Sequence, residues 1–544
     1  MTHAFLRCLL LLCSLASLFA CAKPIHDRTD YTLEVVFAGD GVLGLHGLAF
    51  DDRDRLYAGS VIGSAIHRVD TRTGATEVFI PGPEGEADDL EFAPDGTLVW
   101  TSFVAGKVHA KKGEGPIRVL AEGLPGMNSL AFDPSGRLFA TQVFLADALY
   151  EIDLDGEKPA RKVLEGMGGL NGFDFGPDGH LYGPLWFKGQ VARIDVDAVT
   201  LEVVADGFHT PAAVNFDSQG RLFALDTARG EIVRIDPASG EKTIVAQTPT
   251  TMDNLAIDSR DALYISVMPG NAIFEVDTET GGLREVRSTP LGIPSGLALA
   301  RDAQGETLFV ADAFAVRAIE LPDHTQHAIA RSLGTKLKGA LGGISASAEA
   351  VHITSWADGS IQRIDRESGE IVTHHGFVTP ADVLELADGS LLVAQAEPGE
   401  IVRVAPDGER RTVASGLDEP VALASGGAER AWVALRGSGG IEEIDLRSGA
   451  SRVLARGLDD PEGLAIGPRG QLYVTEASAR RISRIDPEDG RREVIASDLP
   501  IGRDMGSGLA GPGLPSGIAV ASDGSVYFSS DVEGSLYRLR PEAR

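Results

Sequence analysis

One strand–turn–strand unit recurs along this chain, and it leaves the fold little freedom. GLAFDDRDRLYAGS at 47–60 returns as SLAFDPSGRLFATQ at 129–142, as GFDFGPDGHLYGPL at 172–185 and, far downstream, as GLAIGPRGQLYVTE at 463–476. Each copy reads as two short apolar strands around a Gly or Asp turn. A third strand follows, such as AIHRVD, ALYEID or EIVRID, and then a fourth, such as TEVFI, KTIVA or REVIA. Four strands at a period of about 40 residues are the pattern of a β-propeller blade. Twelve such units fit the sequence, which predicts an all-β chain of two tandem six-bladed β-propellers. A single twelve-bladed ring is the alternative, and it would leave a wide, poorly filled channel.

The chain ends suggest how the rings close. YTLEVVF, just after Asp30, looks like a fourth strand without its first three, and the last unit, from Ser516 to Leu539, has three strands and no fourth. A propeller that pairs its two ends within one blade removes its open sheet edges. On that logic YTLEVVF completes the sixth blade, and LREVRS at 283–288 opens the second ring and completes the twelfth. The expected domains are a first propeller over 32–281 and a second over 282–544.

The first 21 residues stand apart. MTHAFLRCLLLLCSLASLFACAKP has a basic start and an apolar core over 8–20, too short for a membrane span. Leu18-Phe19-Ala20-Cys21 resembles a bacterial lipobox, although Phe19 is bulky for its place. The expectation is a signal peptide over 1–21, lipidation of Cys21, a linker over 22–31 and a cell-envelope lipoprotein, periplasm-facing and tied to membrane only through its anchor. A plain secretory signal is the rival. Removing Cys8 and Cys13 and acylating Cys21 would leave a mature domain without thiols, which a core of this size tolerates. The formal charge of −30 argues against nucleic acid, whose phosphates need Lys and Arg, and suits a small-molecule partner.

In a propeller the innermost strands begin at the central channel, so equivalent residues from successive blades ring the axis. In the first propeller the residue two before each inner strand is His46, Asp88, Asn128, Asn171, Ala212 or Asp253. In the second it is Ser295, Gly342, Ala381, Val421, Glu462 or Ser516. The rim loops differ in the same sense. Those of the first place Ile62, Phe103, Phe144, Trp186 and Met268 around the mouth, with Gln142 beside them, whereas those of the second are mostly polar. A polar cluster under an apolar mouth is how small-molecule sites are built, so Asn254, Gln142, Phe103, Phe144 and Trp186 are the expected substrate contacts. Converging carboxylates and amides without Cys suit a hard cation, calcium first and magnesium second. A hydrated channel is the competing reading.

These residues carry a resemblance. The chain resembles the six-bladed calcium propellers of the gluconolactonase/regucalcin and paraoxonase families, with blades similar to NHL repeats. EADDLEFAPDG puts Asp88 in the place of the family's acidic ligand, LNGFDFGPDG puts Asn171 in that of an Asn ligand, and MDNLAID is similar to the paraoxonase Asp-Asn pair. The resemblance implies calcium on Asp88, Asn171 and Asp253, with Ala212 where a further Asn is expected and Asn128 one blade away to compensate. It implies hydrolysis of a lactone or ester, the metal polarising the carbonyl and His46 serving as general base; His209 is a weaker second candidate. A hydrogen-bonded turn histidine is the bland reading of His46. Phosphate-binding and nucleophile-elbow motifs are missing. In the second propeller, Glu462 and Glu476 could pair with Arg436 or Asp531 around the mouth, but solvated channel charges are the favoured reading. A non-catalytic scaffold, with the second propeller binding a protein partner, is the opposing function.

Overall fold

A computed structural model describes residues 31–303, 305–321, 323–339, 341–503 and 514–542. Every named element in them is a strand, and the strands form twelve four-stranded antiparallel sheets. Along each blade the inner strands are buried and the outermost is largely exposed: Leu56–Ser60 is buried throughout, while Thr76–Ile80 buries fully only Ile80. This follows from the sequence, since inner strands are continuous apolar runs covered on both faces and outer strands alternate.

Two six-bladed rings result. The inner strand of blade one (Leu45–Phe50) packs on that of blade six (Met252–Ile257), closing the first ring. The inner strand of blade seven (Pro294–Arg301) packs on that of blade twelve (Ile518–Val520), closing the second. Hydroxyls staple neighbouring blades near the axis: Thr475 Oγ1 donates to the Ser516 carbonyl at 2.8 Å and Ser529 Oγ to the Ser295 carbonyl at 2.7 Å.

Strand exchange at the ends runs opposite to expectation. Tyr31–Phe37 pairs with Leu536–Pro541 and completes blade twelve, while Leu283–Arg287 pairs with Ala272–Val276 as the fourth strand of blade six. The reason is local. Asp277 to Gly282 forms a tight turn, with Asp277 Oδ1 accepting the Glu279 and Thr280 amides and Gly281 at φ 75°. Closing that short hairpin costs little chain entropy, so blade six finishes itself and the N-terminal strand is left for the last blade. There Glu34 pairs with Arg538 and Arg540.

Nine of the twelve inner strands are irregular where they meet the axis. The pairing register slips between Leu45 and Leu48, Met127 and Leu130, Met252 and Leu255, and at the same place in the second ring, as between Pro461 and Leu464. Such bulges re-aim a side chain; His46, Asn128 and Asp253 sit within them, while the strands after Asp88 and Asn171 pair without a slip.

Candidate functional site

The backbone two residues before a ring position turns left-handed in several blades. Gly44, Gly126, Gly169 and Thr251 hold positive φ in the first propeller, and Thr379, Glu419 and Asp460 do so in the second. This turn presents His46, Asn128, Asn171 and Asp253 at one end of the first channel.

Five of the six first-ring positions are polar, and hydrogen bonds or ion pairs link them. His46 Nδ1 lies 3.2 Å from Asp253 Oδ2 and 3.9 Å from Asp88 Oδ2. Asn128 Nδ2 donates to Asp88 Oδ1 at 2.9 Å. Ser129 Oγ lies 2.8 Å from Asn128 Oδ1 and 3.2 Å from Asn171 Oδ1. Asp88, Asn128 and Asn171 are buried, while the side chains of His46 and Asp253 keep 15% and 18% exposure at the mouth. Ala212 is fully buried and adds no donor.

Charge is concentrated here. Burial alone would push the His46 imidazole down, but Asp253, then Asp88 and Glu86, outweigh it and raise its pKa to about 9. Burial raises the Asp88 carboxyl well above the ordinary range; His46 opposes this, and Asp253, Asp89 and Glu86 reinforce it. Glu86, which the sequence reading missed, is buried and its carboxylate accepts the Val104 and Ala105 amides at 2.6 and 3.1 Å. Burial raises its pKa as well, with those amides opposing. In GEADD it looks like turn filler, and its only signal was proximity to Asp88.

Some expected contacts lie elsewhere. Asn254 points along the channel: its Nδ2 donates to Asp89 Oδ1 at 2.8 Å, from blade six to blade two. Gly47 of blade one makes room for that bond, because a Cβ there would come within 2.9 Å of Asp89 Oδ1. Asn254 and Asp89 line a cavity of about 190 Å³ with Glu91, Asp174 and Asn215. Burial raises Asp89 to about 7 and Asp174 to about 6, the hydrogen bonds from neighbouring backbone amides opposing in both cases. Gln142 is used up structurally, donating to the Pro125 carbonyl at 2.8 Å and accepting the Tyr150 hydroxyl at 2.9 Å. His209 Nδ1 lies 3.2 Å from Thr210 Oγ1 in blade five.

The aromatic rim is continuous. Phe144 stands 6.4 Å from Phe103, 5.3 Å from Trp186 and 5.8 Å from Phe187, between ring centroids. Phe144 and Phe187 are exposed, as is Leu145 between them in sequence order. Glycines let this rim settle: a Cβ on Gly169 would meet Phe187 at 2.7 Å, and one on Gly126 would meet Leu145 at 2.9 Å.

The second axis differs. Glu462 accepts the Ser516 amide at 2.7 Å, and Arg436 reaches Glu419, Asp460 and Glu462 at 3.3, 3.4 and 3.5 Å. Burial, helped by Asp531 and opposed by Arg436, raises Glu462 to about 7. Glu476 does not join them; it binds Arg481 and the Asp459 amide. A groove of about 930 Å³ lies at the outer edge of blades eleven and twelve, away from both axes.

Among the described residues no group of three or more His, Cys, Asp or Glu is arranged to hold a metal ion, and no helix is long and apolar enough to cross a membrane.

The fold and the axial site define a tandem β-propeller. Residues 183–314 match the family model of the SMP-30/Gluconolactonase/LRE-like region. That stretch runs from blade four into blade seven and includes Asp253 but not His46, Asp88, Asn128 or Asn171. No curated protein matches the sequence. Among solved structures the chain is similar to a streptogramin B lyase (17% identity, 61% of this chain and 93% of that one, TM-score 0.31). It is also similar to a protein assigned to the gluconolactonases (15% identity, 48% and 95%, TM-score 0.38). A third is the extracellular domain of a hybrid two component system from B. thetaiotaomicron (13% identity, 95% and 79%, TM-score 0.33).

Proposed function

We propose that the first propeller is a hydrolase site for a small lactone or ester, carried at the cell envelope by a lipid on Cys21. The observation that supports it is the convergence of His46, Asp88 and Asp253 with two amides beneath an exposed aromatic rim.

The donor set suits calcium. Asp88, Asp253, Asn128 and Asn171 offer only hard oxygens, and Asp88, Asp253 and Glu86 crowd three carboxyls around one imidazole, where a cation would favour their ionised forms. Asp88, Asp253 and Asn171 would hold the ion, with Asn128 in support. When bound, it supplies Lewis-acid polarisation of the substrate carbonyl.

The chain's own residues do the rest. Asp253 orients His46 through Nδ1, which leaves Nε2 without a hydrogen bond among the described residues. With its pKa near 9, His46 is an imidazolium at neutral pH, not the unperturbed base expected from sequence, and Nε2–H can give its proton to a leaving alkoxide. Once the carboxylates' charge is taken up, His46 loses what holds that proton and can serve as base toward water. Phe103, Phe144 and Trp186 exclude water around the ester.

The test is lactone and aryl-ester hydrolysis with and without chelator, alongside calcium binding to wild type and to Asp88→Ala/Asp253→Ala. Hydrolysis that needs calcium and both acids is expected. A protein that binds no calcium, hydrolyses nothing and loses nothing in the double variant would leave the scaffold reading. Loss of labelled palmitate in Cys21→Ser checks the anchor; residues 1–30 lie outside the described residues.

A further inference from the structure

The first propeller's site has a wall that belongs to the second. We propose that Thr251, Ser332 and Phe314 are positioning residues through which the second propeller sets the His46–Asp253 pair; this rests on the first propeller being the working site.

Thr251 lies two residues before Asp253, fully buried, at φ 71°. The equivalent positions in blades one, three and four are Gly44, Gly126 and Gly169, which the left-handed region favours; a β-branched residue there, Thr251 as also Thr379 at φ 41° in the second ring, is an outlier. Such a conformation persists only where its surroundings over-determine it. Those surroundings come from both rings. Within the first, the Thr251 amide donates to the Thr227 carbonyl at 3.0 Å and its carbonyl accepts the Met268 amide at 3.1 Å. From the second, the Ser332 carbonyl accepts the Thr251 hydroxyl. Glycine would give the backbone but not the hydroxyl, so the side chain that costs strain is also the one that reaches across.

The same part of the second propeller touches His46. The Phe314 ring stands edge-on to the imidazole, 6.5 Å between centroids at 74°. The Phe314 carbonyl accepts both the Ser332 amide at 2.9 Å and the Ser332 hydroxyl at 3.0 Å. The segments 313–314 and 332–334 therefore form one unit that touches His46 directly and reaches Asp253 through Thr251, two residues before it. Contact is close: a Cβ on Gly334 would come within 2.2 Å of Thr250 Oγ1. Leu43, Ile293, Ala313 and Leu514 seal the seam beside it, with Ile62 and Phe314 against them. Polar groups pin the linkers as well. Asn271 Nδ2 donates to the Val42 and Gly292 carbonyls at 2.6 and 2.9 Å, and buried Arg287 pairs with Asp40 at 3.0 Å. The second ring is thus held rigidly enough to position a side chain in the first.

The experiment uses the whole mature protein, labelled with 15N-histidine, with the His46 ring signal assigned by its absence in His46→Asn. At fixed pH, Thr251→Val and Phe314→Ala should each shift that signal. Thr251→Val should also speed exchange of the His46 Nδ1–H with water about five- to tenfold, the scale of one buried hydrogen bond. Thr251→Ser, which keeps the donor, should restore the wild-type signal, and Phe314→Leu is the milder variant should the Ala form not fold. An unmoved His46 signal in folded Thr251→Val and Phe314→Leu overturns the proposal. Hydrolysis by wild type is measured in parallel: its absence removes the hydrolase reading, whereas the histidine signal still decides the positioning role.

Discussion

The two propellers share a frame and differ in what they put into it. Both bulge their inner strands at the axis and both enter the bulge through a left-handed residue. In the first, three of those residues are glycines, and the missing side chains leave room for Phe187 and Leu145 to settle over an open mouth. In the second, the same positions include Glu419 and Asp460, which reach inward and pair with Arg436. One mouth is open above a histidine and two acids; the other is stoppered by ion pairs. Ser295 shows the same economy, since its hydroxyl contacts the Ala311 and Leu341 carbonyls at 3.0 and 3.2 Å and so staples blades.

The largest test of this contrast removes residues 31–37. The second ring would lose the outer strand of blade twelve and gain a bare edge, so scanning calorimetry should show its transition lost or moved far down while that of the first ring remains. If both rings melted together unchanged, the strand would not be what closes the second.

Next in size are paired alanine changes at the two axes. Asp253→Ala removes the nearest partner of a partly buried imidazolium and should cost about 1–3 kcal/mol of stability, with at least a hundredfold loss of hydrolysis. Glu462→Ala should leave hydrolysis within about twofold, because the second axis holds no substrate in this reading. Urea titrations and steady-state kinetics on both variants settle which axis works.

A third test uses pH. His46 has a folded pKa near 9, raised above its usual value of 6.5, so its pairing stabilises fully below about 6.5 and is lost as pH rises through 9. Asp89 and Glu462, raised to about 7, also favour low pH, but over a lower window. The difference in unfolding free energy between wild type and His46→Asn, measured at pH 6, 7.5 and 9.5, isolates the histidine. It should shrink toward the highest pH, and a constant difference would deny that His46 is charged in the folded protein.

The smallest effect is expected at the rim. Phe187→Ala changes a side chain that is 61% exposed, so stability should move by no more than about 0.5 kcal/mol, while KM for an apolar ester rises. An unchanged KM would take the outer rim out of the binding surface.

Much of the molecule was legible because its information is local. Each blade is a run of hairpins whose turns, such as DTRTGA and DPASGE, are written into adjacent residues. The offset from turn to ring position is constant, so His46, Asp88, Asn128, Asn171 and Asp253 could be named from one line of sequence. Asn254 could not be placed, because the bulge turns one side chain to the mouth and the next along the channel, and no residue type marks that change. Gln142 read as a mouth residue until Pro125 and Tyr150 were seen to occupy both ends of its amide.

The sequence by itself determined the number of blades, the order of strands within each local hairpin run and which ring gathers amides and a histidine at its ring positions, because alternation and turn chemistry act over a few residues. Only the tertiary structure decided which ring receives the N-terminal strand, since an unpaired edge attracts any free strand and the local hairpin after Asp277 settles the competition. It also decided the charge state of His46 and the reach of Ser332 and Phe314 into the first propeller. Those depend on burial and on contacts between segments far apart in the chain, for which the sequence holds no period and no offset.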